Sequence, residues 1–189
     1  RGFTQDDSHI FTTEAQLGAE LQSLLDFVLM VLRDFGFDEF EADLSTKPEK
    51  GIGDPELWVR AEEHLASALQ SADLPYQVAP GEGAFYGPKI DIHIRDAIGR
   101  RWQLSTIQLD FGNPENFELE YTSSENTRER PVMIHRALFG SVERFIGILT
   151  EHYAGAFPPW LAPVQVTVVP VADRHIEYAN SVAEVLGSQ

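Results

Sequence analysis

The 189-residue sequence has no cysteine, so no disulfide can form within it and the chain reads as one that lives in the cytoplasm. Basic residues are scarce. Fourteen Lys and Arg stand against thirty Asp and Glu, a net charge of −16, and a surface of that sign repels a phosphate backbone. Any nucleic-acid contact must therefore be local, or be made by segments outside this sequence. No apolar run of membrane-spanning length is evident, and no basic stretch followed by an apolar one marks a leader, so no membrane partner is expected. Repeats and low-complexity tracts are also missing. What is present is a 43% share of hydrophobic positions, enough for one substantial core and the start of a second unit. The sequence opens on Arg1 and stops at Gln189, just after an amphipathic segment, and reads as part of a longer protein.

Hydrophobic spacing organises the chain. Leu17, Leu21, Leu24, Leu25, Val28, Leu29 and Leu32 recur at intervals of three and four, and Thr13 with Gln16 has the form of a capping box. This predicts a long core helix ending near Gly36. Phe40, Ala42 and Leu44 alternate as a strand, and Asp54-Pro55-Glu56 opens a second helix to about Ala72. Ile90, Ile92 and Ile94 alternate with Asp91 and His93, and the run Arg101 to Phe111 is again extended, which predicts two antiparallel strands joined around Ala97-Ile98-Gly99. From Met133 to about Tyr153 the spacing through Ile134, Leu138, Val142, Phe145, Ile146 and Leu149 is helical. Three prolines between Phe157 and Pro163 then oppose regular structure. Beyond them a valine-rich run, Val164 to Val171, predicts a largely buried strand, and Arg174 to Leu186 a helix. A domain boundary is expected there, dividing 1–162 from 163–189.

Two segments carry chemistry. If Arg1 to Phe11 is a strand, Phe3, Gln5, Asp7 and His9 share one face, because side chains alternate with period two. An aromatic plate, an amide, a carboxylate and an imidazole in a row would form an unusual core, although a polar strand surface facing solvent gives the same pattern. In the second segment Gly140, Arg144 and Gly147 would share a helical face, with small residues clearing space for a phosphate beside a guanidinium. A surface Arg paired with a carboxylate fits that spacing equally well.

These segments resemble the second strand of motif 2 and the motif 3 helix of class II aminoacyl-tRNA synthetases, and their wording is similar to the threonyl-tRNA synthetase family. Further matches are Ser45-Thr46-Lys47-Pro48-Glu49-Lys50, Gly81-Glu82-Gly83-Ala84-Phe85-Tyr86-Gly87-Pro88-Lys89-Ile90 and Trp160-Leu161-Ala162-Pro163-Val164-Gln165-Val166. The likeness runs in order from Arg1 to about Val171. It implies an α/β fold of the α+β type, with an antiparallel class II sheet flanked by helices, followed by the opening of a three-layer anticodon-binding domain. It also implies ATP-dependent activation of threonine and its transfer to tRNA(Thr), with Mg²⁺ accompanying ATP and a homodimer as the working form.

The resemblance assigns residues as well. His9 and His135 match two ligands of a family Zn²⁺ that takes the amine and hydroxyl of threonine, and the third family ligand, a cysteine, is expected outside this chain. A Lewis acid with open positions discriminates against valine, which lacks the hydroxyl. Gln5, Asp7 and Tyr86 match threonine-binding positions. Phe3, Gln103, Ser141 and Arg144 match nucleotide positions, with Arg144 on the γ-phosphate, and Lys89 matches a lysine facing the active site, so Arg144 and Lys89 are the expected catalytic residues. His64, His93, His152 and His175 match no ligand position. Prolyl-tRNA synthetase is the nearest alternative enzyme, without an expectation of paired histidines. A non-catalytic synthetase-like scaffold that binds RNA or a partner is the alternative from another class, and the joint presence of Asp7, His9, His135 and Arg144 speaks against it.

Overall fold

The computed structural model of the chain describes residues 2–188. Two compact units are present, Arg1–Leu149 and Thr150–Gln189.

The first unit is built on six strands in the order β1-β8-β5-β4-β2-β3, comprising β1 (Ser8–Thr12), β2 (Glu41–Ser45), β3 (Tyr76–Ala79), β4 (Lys89–Arg95), β5 (Arg101–Asp110) and β8 (Val132–Ala137). All neighbours run antiparallel except β2 and β3, which are parallel. That one edge departs from the all-antiparallel sheet expected. The reason is the connection: helix α2 (Pro55–Ser71) lies between β2 and β3 in the chain, and a helical crossover returns the second strand in the direction of the first.

Helices pack beneath one face. The expected capping box is formed, with the Thr13 hydroxyl accepting from Gln16 N–H, and it leads into α1 (Leu17–Asp34). Leu17, Leu21, Leu25, Val28, Leu29 and Leu32 are buried along one stripe, each contributing about 2 kcal/mol of transfer free energy. By length and a mean hydropathy of 1.4, the stretch Glu14–Asp34 is long and apolar enough to cross a membrane, contrary to the expectation from sequence. Its buried stripe instead packs against α2 and β5, as a core helix does. Helix α2 follows its Asp54 cap and Pro55 and presents Trp58, Ala61, Leu65, Ala68 and Leu69 to the same core. Ile90, Ile92 and Ile94 on β4 point into it, while Lys89, Asp91 and His93 point to the opposite face. Short elements α3 (Gly112–Asn116), β6 (Tyr121–Thr122) and β7 (Arg128–Glu129) join β5 to β8.

Three expected elements differ. Of the first segment, expected as a strand to Phe11, only Ser8–Thr12 forms one, so Phe3, Gln5 and Asp7 precede it, with Gln5 in an isolated bridge to Ser141. Residues 132–137, expected as the start of a helix, form β8, the second strand from the edge, so His135 lies on a strand; the helix α4 begins only at Val142 and runs to His152. Met133, Ile134 and Leu138 imitate helical spacing over so short a run, and only pairing on both sides, with β1 and β5, decides for strand. In the second unit, the run Val164 to Val171 is not a strand, and Val164, Val166, Val169 and Val171 are exposed. A strand exists by pairing, and the described residues of 150–189 contain no second strand. Helix α5 (Ile176–Gly187) forms as expected.

Candidate active site

On the face of the sheet opposite α1 and α2 lies a cavity of about 650 Å³. Phe3, Gln5, Asp7, Tyr86, Gln103, His135, Ser141 and Arg144 line it, together with Thr106 and Gln108. Residues from five separate stretches of sequence thus meet in one place. His9 sits beside His135 at the edge of this set, while Lys89 does not line the cavity and pairs with Asp91 behind it.

Strand register builds one end. β1 and β8 are antiparallel with His9 directly opposite His135, and side chains at opposed positions stand next to each other. The two imidazoles meet edge to face with centroids 4.6 Å apart. Asp7, two residues before His9 and so on the same side, brings its carboxylate to 3.9 Å from His9 Nε2. One donor atom from each of Asp7, His9 and His135 lies within 4.8 Å of the others, a spacing that could hold a metal ion.

Behind His135 stands Asp110, the last residue of β5 and wholly buried. Its Oδ2 is 2.8 Å from His135 Nε2, which leaves Nδ1 as the nitrogen available to a metal. A carboxylate behind a ligating imidazole is the arrangement that fixes the ring and its tautomer. Burial by itself would raise the Asp110 pKa, but the His135 ring and the backbone N–H groups of Asn113 and Gly112 outweigh it and hold the carboxyl below its ordinary value. Nothing in the sequence singled Asp110 out beyond its place in the extended run Arg101 to Phe111; besides backing His135 it accepts from Asn113 N–H.

Tyr86 closes this end from the loop before β4. That loop can press on β5 because position 87 is Gly: any side chain there would collide with the carbonyl of Leu109. The Tyr86 hydroxyl donates to Gln108 Oε1 at 3.2 Å. Burial, reinforced by the charges of Asp110 and Asp7, raises the Tyr86 pKa, so the phenol remains a donor at neutral pH. Gln108 Nε2 is buried without a hydrogen-bond partner.

Docking of the N-terminal segment onto the start of α4 builds the other end. Asp6, on the alternate side from Asp7, accepts from the N–H groups of Leu138 (2.7 Å) and Phe139 (3.0 Å), and Val142 N–H donates to Thr4 O at 2.9 Å. Gln5 forms a bridge with Ser141. Phe3 is 61% exposed at the mouth of the cavity, so its ring is free to take a flat partner. The Arg144 Nη2 donates to Gln103 O at 2.6 Å, and the guanidinium lies 6.0 Å from the Trp102 ring centroid. Gly140 was expected on the same helical face as Arg144. It lies instead in the turn before α4 at φ +65°, where a side chain would come within 2.7 Å of Leu104 O; space is cleared beside Arg144 by a turn rather than by a helix.

Gln103 joins this cluster through a bulge. Ile92 pairs with Ser105 but His93 with Gln103, so Leu104 is an extra residue on β5. The extra residue shifts the alternation by one, which brings Gln103 to the face that Thr106 and Gln108 already share. The spacing of 103, 106 and 108 in a regular strand would have put Gln103 on the other side.

The sequence profile described as the tRNA synthetase class II core domain (G, H, P, S and T) matches residues 1–153. The threonine–tRNA ligase of Mycobacterium avium (strain 104) is 61% identical over 189 residues, all of this chain and 28% of that protein. That of Sulfurihydrogenibium sp. (strain YO3AOP1) is 56% identical over 186 residues, 98% of this chain and 29% of its own length. Among solved structures, the RNA binding domain of threonyl-tRNA synthetase from Cryptosporidium parvum Iowa II superposes with a TM-score of 0.90 at 44% identity, covering 98% of this chain and 47% of that one. The chain spans less than a third of the curated relatives it matches. With a six-stranded sheet flanked by helices, a cavity on its open face and the profile match over most of its length, this chain belongs to the class II tRNA synthetase core domain family.

Proposed function

We propose that this chain forms much of the active site of a threonine–tRNA ligase, which activates threonine with ATP and transfers it to tRNA(Thr). The observation that carries the reading is the pairing of Asp7, His9 and His135 within 4.8 Å at one end of a cavity whose other end holds Arg144. The donor set fits a zinc ion: two imidazoles, one with a carboxylate behind it, and room for ligands supplied from beyond this sequence. Zinc held there by His9 and His135 would supply a Lewis acid for the amine and hydroxyl of threonine.

Asp7 would accept a hydrogen bond from the substrate hydroxyl, Tyr86 and Gln5 would hold the remainder of the amino acid, and Phe3 would stack on the base of ATP arriving with Mg²⁺. Gln103 and Ser141 would line the nucleotide, and the Arg144 guanidinium would neutralise charge on its phosphates. The threonine carboxylate would attack the α-phosphorus and release pyrophosphate, with catalysis by positioning and charge neutralisation rather than through a covalent enzyme intermediate. Residues 163–189 would open an anticodon-binding domain. A cytoplasmic homodimer suits the reaction.

The test is amino-acid-dependent pyrophosphate exchange by the full-length protein. Threonine should support exchange at least about a hundredfold better than valine, because a site built to bind a hydroxyl leaves polar groups unpaired without it. Equal exchange with valine would overturn the reading.

A further inference from the structure

Asp91 is 5% exposed and stands behind the cavity wall, between Lys89 and Gln103. Its Oδ1 accepts from Gln103 Nε2 at 2.6 Å and from the Thr106 hydroxyl at 2.9 Å; its Oδ2 faces the Lys89 ammonium and, at 3.4 Å, the Ser45 hydroxyl. Since Thr106 gives its proton to Asp91, its oxygen accepts from Gln103 Nε2 at 3.1 Å. The Gln103 amide nitrogen thus faces two acceptors, Asp91 Oδ1 and the Thr106 oxygen. A carboxylate offers only acceptors, so the reversed amide would set two acceptors face to face. Gln103 Oε1 has no hydrogen-bond partner among the described residues, and Gln103 lines the cavity.

We infer that Asp91, paired with Lys89, is a positioning residue that locks the Gln103 amide with its oxygen outward, so that this part of the cavity takes a hydrogen-bond donor of the nucleotide. The inference rests on the reading that ATP occupies the Arg144 end. It gives Lys89 a role through Asp91 and Gln103, in keeping with its place behind the wall. The donor on ATP is a ribose hydroxyl or the exocyclic amine, and the experiment separates them.

The experiment uses full-length protein and pyrophosphate exchange. In the wild type, ATP is compared with its 2′-deoxy and 3′-deoxy forms and with purine riboside triphosphate, which lacks the amine. One of the three should show a KM about tenfold higher, the ordinary consequence of one lost hydrogen bond, and Gln103→Leu should abolish that difference. Asp91→Asn, which lets the amide turn over, should raise the KM for ATP about tenfold, leave that for threonine unchanged and add nothing in the Gln103→Leu background. Equal KM values for all three analogues, or additive effects of the two substitutions, would overturn the inference; the analogue comparison decides even if Asp91→Asn does not fold. Wild-type protein without any exchange would overturn the synthetase reading itself and this inference with it.

Discussion

The two ends of the cavity are made differently. At the His135 end the chemistry sits on paired strands: His9 and His135 are opposite each other in register, and a wholly buried carboxylate backs the ring. At the Arg144 end it sits where elements begin or stop. Phe3 precedes β1, Ser141 precedes α4, Gln103 depends on a bulge, and both Phe3 and Arg144 are exposed. The first arrangement holds atoms at fixed separations, as a metal requires, and the second leaves side chains that can close on a large, charged ligand.

Substitutions that touch one end should therefore spare the other. His135→Ala should have the largest effect, with zinc in the full-length protein falling to background and exchange falling more than about a hundredfold, since loss of a ligand exceeds loss of the partner behind it. Elemental analysis with the exchange assay checks it, and full zinc occupancy would show that the end was drawn wrongly. Arg144→Ala should raise the barrier to adenylate formation by about 3 kcal/mol while zinc content stays at the wild-type value. An unchanged exchange rate would remove Arg144 from the phosphate site. Asp110→Asn should weaken zinc affinity about tenfold to a hundredfold, measured by competition with a chelator, and leave the KM for ATP alone.

The smallest effect concerns pH and comes from a residue that does not line the cavity, although it pairs with Gln103 on the neighbouring strand. Burial, together with the charge of Arg101, lowers the pKa of His93, against the opposing pull of Asp43, Asp91 and Glu41. A histidine that resists protonation in the folded state contributes stability above its ordinary value of about 6.5, and that contribution is lost as pH falls through and below it. Melting temperature should decline from about pH 7 to pH 5, and His93→Gln should flatten the decline. An equal decline in the variant would place its cause elsewhere.

Much of the first unit was legible in the sequence because its helices carry strong periodic signals with caps, as at Thr13, Asp54 and Pro55. The strands β4 and β5 were legible from Ile90, Ile92 and Ile94 alternating with polar residues. Strand β3, with no buried residue in its span, gave no such signal. Residues 132–137 were misread because a run of six residues with only Val132, Met133 and Ile134 apolar in succession is too short to distinguish strand from helix by period, and residues 164–171 because composition cannot supply a partner strand.

Sequence alone determined which residue types were available and, through motif wording, which of them belong to one constellation: Phe3, Gln5, Asp7, His9, Tyr86, Gln103, His135, Ser141 and Arg144. Only the tertiary structure decided how they meet. Register set His9 against His135, a single extra residue at Leu104 turned Gln103 to the cavity, and the fold brought Asp110 behind one imidazole and Asp91 behind one amide. The physical reason is that a supporting carboxylate is defined by distance to its partner, and residues 110 and 135, or 91 and 103, acquire that distance only when β4, β5 and β8 pair.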